Sequence, residues 1–200
     1  MLISTFAAGA QTIVPDAEIV REMTAFAAKS ENALAISRPR VSDGSSNAAK
    51  NSSATLAQVK LPPRNSVPFS SLERQAFDLL NEKRVASGLN PLKWNEQMAQ
   101  AARLHSENMA RDNYFSHQEL DGSTAKERAA LVGERDWTAI GENIAFNRGF
   151  SKPVETACAE WLQSAAHREN LMDKGWTEAG IGIAVAPDGT YYFTQVFILK

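Results

Sequence analysis

The sequence has few of the features that would place it in several common protein classes. It contains one cysteine, Cys158, which excludes an intramolecular disulfide and a cysteine-rich zinc module. It has no apolar run of about 18 residues, so we predict no transmembrane segment. The 21 basic residues nearly balance the 23 acidic ones, and this balance argues against a nucleic-acid partner. We therefore expect a core that is held together by packing alone.

Aromatic residues are scarce in the first third of the chain, where 1–68 contains only Phe6 and Phe26. All four tryptophans and the other aromatic residues lie in 69–200. The segment 37–68 is rich in serine, asparagine, alanine and proline. Such a segment buries too little apolar surface to offset the entropy lost on ordering, so we predict a disordered linker there. The functional domain is therefore predicted at 69–200.

The N-terminus resembles a truncated secretion signal. A short apolar stretch ends in Ala8-Gly9-Ala10, which is similar to a signal peptidase site, but the basic region that normally precedes it is missing. We interpret 1–36 as a truncated signal-like segment followed by a short helix. A coincidental alanine-rich terminus is the alternative interpretation.

Residue patterns within 69–200 predict several helices followed by a β-hairpin. Apolar spacing and capping residues indicate helices at about 70–87, 95–112, 124–132 and 152–164. In the last segment, two runs of strand-forming residues flank Pro187-Asp188-Gly189, and this turn sequence is typical of a β-hairpin. Helices first and an antiparallel pair last predict an α+β domain in layers.

Four short motifs stand out, although the common catalytic signatures are absent. The sequence contains no GxGxxG, Walker, GxSxG or HExxH motif. The four motifs are Tyr114-Phe-Ser-His117, Gly141-Glu-Asn-Ile-Ala145, the Trp161–Met172 segment with His167, and Phe193-Thr-Gln-Val-Phe197. Taken singly, each has an ordinary structural explanation, such as a loop histidine, a turn glutamate or a helix-terminal cation.

Taken together and in this order, the four motifs resemble the CAP superfamily of cysteine-rich secretory proteins, antigens and pathogenesis-related proteins. The similarity is to its disulfide-free bacterial secreted branch, called SCP-like, and it covers essentially all of 69–200. The resemblance implies a three-layer α-β-α sandwich with a central antiparallel sheet. It also implies a secreted location, in the periplasm or outside the cell.

The resemblance further implies a cleft that contains His117, Glu142 and His167. A second glutamate of the family corresponds to Ser164 here, which leaves the cleft one carboxylate. Two imidazoles and one carboxylate are suitable ligands for Zn²⁺ or another divalent cation, so His117, Glu142 and His167 form a candidate metal site. Alternatively, Ser164, His167 and Glu142 could act as nucleophile, base and orienting acid, although no oxyanion hole is evident. A purely structural hydrogen-bonded cluster is the third interpretation.

Several residues near these motifs are expected to be structural. We interpret His105 as a packed helix histidine and Cys158 as a small buried hydrophobe. Asn143 and Asn170 are expected to satisfy backbone groups around the loops. Gln195 could point to the cleft or to the opposite face of the sheet.

These observations predict that the protein is a secreted, monomeric binding or interaction module. The residues fit this function better than they fit an enzyme. Its cleft would take a divalent metal or a small ligand, such as a lipid, a glycan or an envelope component. The alternatives are a metal-dependent or serine-type hydrolase that uses the same cleft, and a structural extracellular module tethered by 37–68.

Overall fold

The computed structural model describes residues 36–37 and 71–200. The predicted signal-like segment and linker lie outside the described residues, apart from the two residues at their junction. The described elements are β1 (Ile36–Ser37), α1 (Ser71–Ala86), β2 (Lys93–Trp94), α2 (Glu96–Asp112), α3 (Ala125–Leu131), β3 (Ala139–Asn147), α4 (Pro153–Gln163), α5 (Ala165–Leu171), β4 (Glu178–Val185) and β5 (Tyr191–Leu199).

The described strands form one sheet in the order β1-β3-β5-β4-β2. All neighbouring strands are antiparallel except β2, which pairs parallel with β4. The predicted hairpin is confirmed as β4 and β5, and Gly189 in its turn has a φ of 85°, a conformation that favours glycine.

Helices cover both faces of the sheet, because alternate strand residues project to opposite sides. Ile181, Phe193 and Phe197 pack with residues of α1, α4 and α5, including Trp161 and Leu171. We call this side the α1–α4–α5 face.

The α2–α3 face is the opposite side of the sheet, where Ile140, Val196 and Ile198 pack against α2 and α3. Met98 of α2 and Ala129 of α3 are fully buried there. Helices on both faces of one sheet confirm the predicted three-layer sandwich.

Helix α2 lies directly on the backbone of β4. A Cβ atom added at Gly180 would lie 2.0 Å from the backbone nitrogen of Ala99, and one added at Gly182 would lie 2.0 Å from that of Arg103. Two glycines on the same strand face therefore let the helix approach the sheet closely. This contact sets the distance between α2 and the sheet. It thereby also positions His105, which lies on α2.

The helix predicted at 152–164 is confirmed as α4, and the chain bends at Ser164 into a second short helix, α5, which was not predicted. Helix α4 ends at Gln163 and α5 begins at Ala165, while Ser164 between them has an extended conformation with φ −70° and ψ 122°. His167 therefore lies on a separate short helix from Trp161.

Candidate functional site

The centre of the candidate site is a hydrogen bond between His117 and Glu142. His117 lies in the loop 113–124 between α2 and α3, and Glu142 lies on β3. The two side chains meet with 2.8 Å between His117 Nδ1 and Glu142 Oε1, where the carboxylate is fully buried and the ring is 16% exposed. Because a carboxylate only accepts, Nδ1 carries hydrogen and donates it. The described residues offer no partner to the other ring nitrogen, Nε2.

Arg128 of α3 holds the second oxygen of Glu142. Its Nη2 donates to Glu142 Oε2, and its Nη1 lies 3.1 Å from Glu119 Oε1. Burial alone would raise the pKa of Glu142, but the charge of Arg128 and the hydrogen bond from His117 lower it to about 2. Glu142 is therefore a buried carboxylate at neutral pH.

His105 and Glu119 form a second polar pair beneath the loop. The His105 ring is fully buried, with Nδ1 2.7 Å from Glu119 Oε1 and Nε2 2.8 Å from the backbone oxygen of Ser116. Glu119 also accepts from Tyr114 and, at 3.0 Å, from Asn108. These bonds anchor the loop that carries His117 to α2. The prediction of a packed helix histidine is confirmed, whereas its polar partners were not predicted, because Glu119 lies in a loop without periodic pattern.

His167 lies on α5, which is tied to β3 by side-chain hydrogen bonds. Its backbone oxygen accepts from Asn143 Nδ2 at 3.1 Å, and Asn170 Nδ2 donates to the backbone oxygen of Glu142 at 3.2 Å. The predicted structural roles of both asparagines are confirmed. Burial, together with the charge of His117, lowers the pKa of His167. His167 is therefore neutral at neutral pH.

Residues 71–200 contain no group of three or more His, Cys, Asp and Glu side chains that is placed to hold a metal ion. Both oxygens of Glu142 are directed at His117 Nδ1 and at Arg128. The predicted set of His117, Glu142 and His167 is therefore not assembled as three direct ligands. The imidazole rings of His117 and His167 remain as candidate metal-binding groups, and Glu142 is hydrogen-bonded to the His117 ring.

The serine-type arrangement is not formed among the described residues either. Ser164 occupies the bend between α4 and α5, and its side chain makes no hydrogen bond with the His167 ring. Glu142 contacts His117 and Arg128, so it does not orient His167 as a catalytic acid would.

The remaining predicted residues lie in the core. Cys158 is buried, and burial raises the pKa of its thiol to about 12, which fits a small hydrophobe. Gln195 pairs with Asn143 across β3 and β5, so it lies on the α1–α4–α5 face. It therefore points to the face opposite Glu142.

The chain belongs to the cysteine-rich secretory protein family, called CAP, whose model matches residues 77–197. It is 40% identical over 128 residues to the uncharacterized membrane protein YlbC of Bacillus subtilis, a match that covers 64% of this chain and 34% of that protein. It is 31% identical over 154 residues to the uncharacterized protein YkwD of the same organism, covering 77% of this chain and 57% of that protein.

A solved structure supports the fold. The crystal structure of an extracellular protein containing a SCP domain from Bacillus anthracis matches with a TM-score of 0.57 at 32% identity, covering 68% of this chain and 45% of that one. The chain thus spans between a third and three fifths of the length of these relatives. None of the helices described in residues 71–200 is long and apolar enough to cross a membrane.

Proposed function

We propose that this CAP domain is a binding module that works outside the cytoplasm, and that His117 and His167 together hold a divalent transition metal such as Zn²⁺. The observation that carries this proposal is the 2.8 Å hydrogen bond from His117 Nδ1 to the buried carboxylate of Glu142. A histidine that donates one ring nitrogen to a carboxylate presents the other nitrogen as an oriented metal donor. Glu142 would act through His117 and not as a direct ligand.

The nitrogen donors of the two histidines favour a transition metal such as Zn²⁺ over Ca²⁺ or Mg²⁺. Imidazole nitrogens suit zinc, copper and nickel, whereas calcium and magnesium prefer several oxygen ligands. Neutral imidazole is the form that binds metal, and the lowered pKa of His167 keeps its ring neutral at neutral pH. Water would complete the coordination shell.

Its relatives support a location outside the cytoplasm. The matched Bacillus anthracis protein is described as extracellular, and YlbC is named a membrane protein. We propose that this domain is secreted or displayed at the cell surface.

Calorimetric titration of the full chain with zinc tests the metal site. We expect micromolar or tighter binding, about −8 kcal/mol, that is lost in His117→Ala and in His167→Ala. Ser164→Ala is the matched control, because Ser164 lies three residues from His167 but is not a proposed donor. Binding that is absent in the wild type, or unchanged in both histidine variants, would refute the proposal.

A pair of half-buried aromatic rings, one of them two residues before His117 in the chain, favours a second candidate, an organic ligand such as a glycan or a lipid. Phe115 and Phe146 are half-buried and pack edge to face, with their ring centroids 4.8 Å apart. Aromatic rings next to a polar pair suit a ligand with one apolar and one polar side. Binding of soluble chitooligosaccharides or phosphatidylglycerol vesicles should weaken in Phe146→Ala, and binding of neither probe by the wild type would exclude these ligands.

A further inference from the structure

Arg84 is a charged residue in the interior of the protein, although it lies in the last turn of α1. Only 1% of its surface is exposed. Its Nε donates to the backbone oxygen of Asn90 at 3.1 Å, and its Nη1 donates to the backbone oxygens of Leu171 and Asp173 at 2.6 Å and 3.1 Å. The guanidinium group therefore joins the loop that follows α1 to the C-terminal end of α5.

Helix α5 depends on side chains outside the helix for its C-terminal end. It has only seven residues, and a helix of this length is not stable by itself. The last backbone oxygens of a helix also lack partners within it. Arg84 binds the backbone oxygen of Leu171, and Trp176 Nε1 binds that of Asn170 at 2.8 Å. The positive charge of Arg84 further favours this position, because the C-terminal end of a helix is electronegative.

The anchored end of α5 lies close to His167 in the chain. Leu171 follows His167 by four residues, which is about one helical turn. Between them, Asn170 donates to the backbone oxygen of Glu142 at 3.2 Å and to Asn143 Oδ1 at 3.0 Å. Helix α5 is therefore held to β3 by Asn170 and to α1 by Arg84.

We infer that Arg84 is a positioning residue for His167, because it fixes the last turn of α5 and so limits the positions that the His167 ring can take. The inference rests on the proposed metal site for its functional meaning, since His167 is one of the two proposed donors. A donor that is already ordered binds metal more tightly than one that must be ordered on binding. The anchoring of α5 itself stands independently of any metal.

Arg103 offers a matched control, because it is also an arginine with a largely buried side chain, 14% exposed. Its partners are the carboxylates of Glu73 on α1 and Glu96 on α2, each at 2.9 Å. Arg103→Met should therefore destabilise the fold without removing a bond to α5, whereas Arg84→Met removes the bonds to Leu171 and Asp173. The comparison separates the positioning of α5 from a general loss of stability.

Amide hydrogen exchange of the metal-free full chain, measured by NMR, tests the anchoring of α5. We expect Arg84→Met to speed exchange at the amides of 168–172 by about tenfold or more beyond any change at the amides of β5. Arg103→Met should show no such excess at 168–172. Exchange at 168–172 that is unchanged in Arg84→Met, or raised only as much as in β5, would overturn the inference whether or not zinc binds.

Calorimetric zinc titration of the same variants tests the effect on His167. We expect Arg84→Met to weaken zinc binding about fivefold or more, and Arg103→Met to stay within about twofold of the wild type. Arg84→Lys keeps the charge but loses the planar fork of donors, so it should recover only part of the affinity. It also carries both measurements if Arg84→Met does not fold.

Unchanged zinc affinity in every Arg84 variant that folds would overturn the positioning role, and so would equal losses in Arg84→Met and Arg103→Met. A wild type that binds no zinc would refute the proposed metal site instead. The exchange measurement would then still decide whether Arg84 holds α5.

Discussion

Glu142 shows how a buried carboxylate can belong to a proposed metal site without binding the metal directly. Glu142 appears in the sequence as a glutamate between glycine and asparagine, and only the family resemblance marks it as part of a cleft. Its partners, His117 and Arg128, come from a loop and from α3. The sequence could indicate that Glu142 matters, but the bond to Arg128 depends on tertiary packing that no local pattern encodes.

Replacing Glu142 by glutamine should destabilise the fold. The change leaves the buried guanidinium of Arg128 with a neutral partner, and breaking a buried ion pair costs about 3 kcal/mol or more. We expect a drop of this size in the free energy of unfolding, measured by urea denaturation near neutral pH. Asp112→Asn is the control, because the Asp112–Arg111 pair is exposed, so its effect should be much smaller than that of Glu142→Gln. Equal effects of the two substitutions would contradict the buried charge network.

Glu142 should also make stability depend on acid pH. Its pKa is lowered on folding from 4.5 to about 2, so its carboxylate stabilises the fold above pH 4.5. That stabilisation is lost as the pH falls from 4.5 towards about 2. Urea denaturation at a series of pH values should show a smaller loss over this range in Glu142→Gln than in the wild type. Identical slopes would show that folding does not lower the pKa of Glu142.

Cys158 should react slowly with thiol reagents in the native protein. Its side chain is buried and the pKa of the thiol is raised to about 12, so little thiolate is present or accessible at neutral pH. We expect alkylation by iodoacetamide to be at least about 100-fold slower than in urea-unfolded protein. Comparable rates in the two states would contradict the assigned core position.

At the level of whole elements, apolar periodicity and turn residues were sufficient to predict the regular helices and strands. They predicted α1, α2 and the β4–β5 hairpin close to their observed bounds. They also placed the end of α4 at Ser164, but they did not predict α5, which begins one residue later. Strand β3 is also hard to predict, since Glu142, Asn143 and Asn147 interrupt its apolar pattern although all three are fully buried.

The close approach of α2 to β4 gives a sharp prediction for Gly182. A methyl group there would lie 2.0 Å from the backbone nitrogen of Arg103, and a helix backbone cannot move aside cheaply. We expect Gly182→Ala to lower the free energy of unfolding by about 3 kcal/mol. Ala184→Ser is the control, because Ala184 is only half-buried on the same strand face. A stable Gly182→Ala variant would show that the two elements are packed less tightly than described.

Across the whole molecule, the candidate site joins the layers of the sandwich. Glu142 and Arg128 lie on the α2–α3 face, whereas His167 comes from α5 on the other side of the sheet. The α+β class follows from the order of helices and strands, but the resemblance to the CAP family was needed to predict three layers. Sequence spacing alone could not relate His117 to His167, because they lie 50 residues apart and belong to different elements.

A metal held between layers should stabilise the whole fold. Zinc at about 100 times its dissociation constant should add about 2.7 kcal/mol to the free energy of unfolding. Thermal unfolding should therefore shift to a higher Tm with zinc and return on addition of EDTA, whereas His117→Ala should show no shift. A shift of equal size in His117→Ala would place the zinc elsewhere.

Anomalous X-ray diffraction at the zinc edge, on crystals of the full chain grown with zinc, would locate the ion. The proposed site predicts an anomalous peak at bonding distance from His117 Nε2 and from the His167 ring, with Glu142 still bonded to His117 Nδ1. A peak bonded to the carboxylate of Glu142, or no peak beside the two imidazoles, would contradict it.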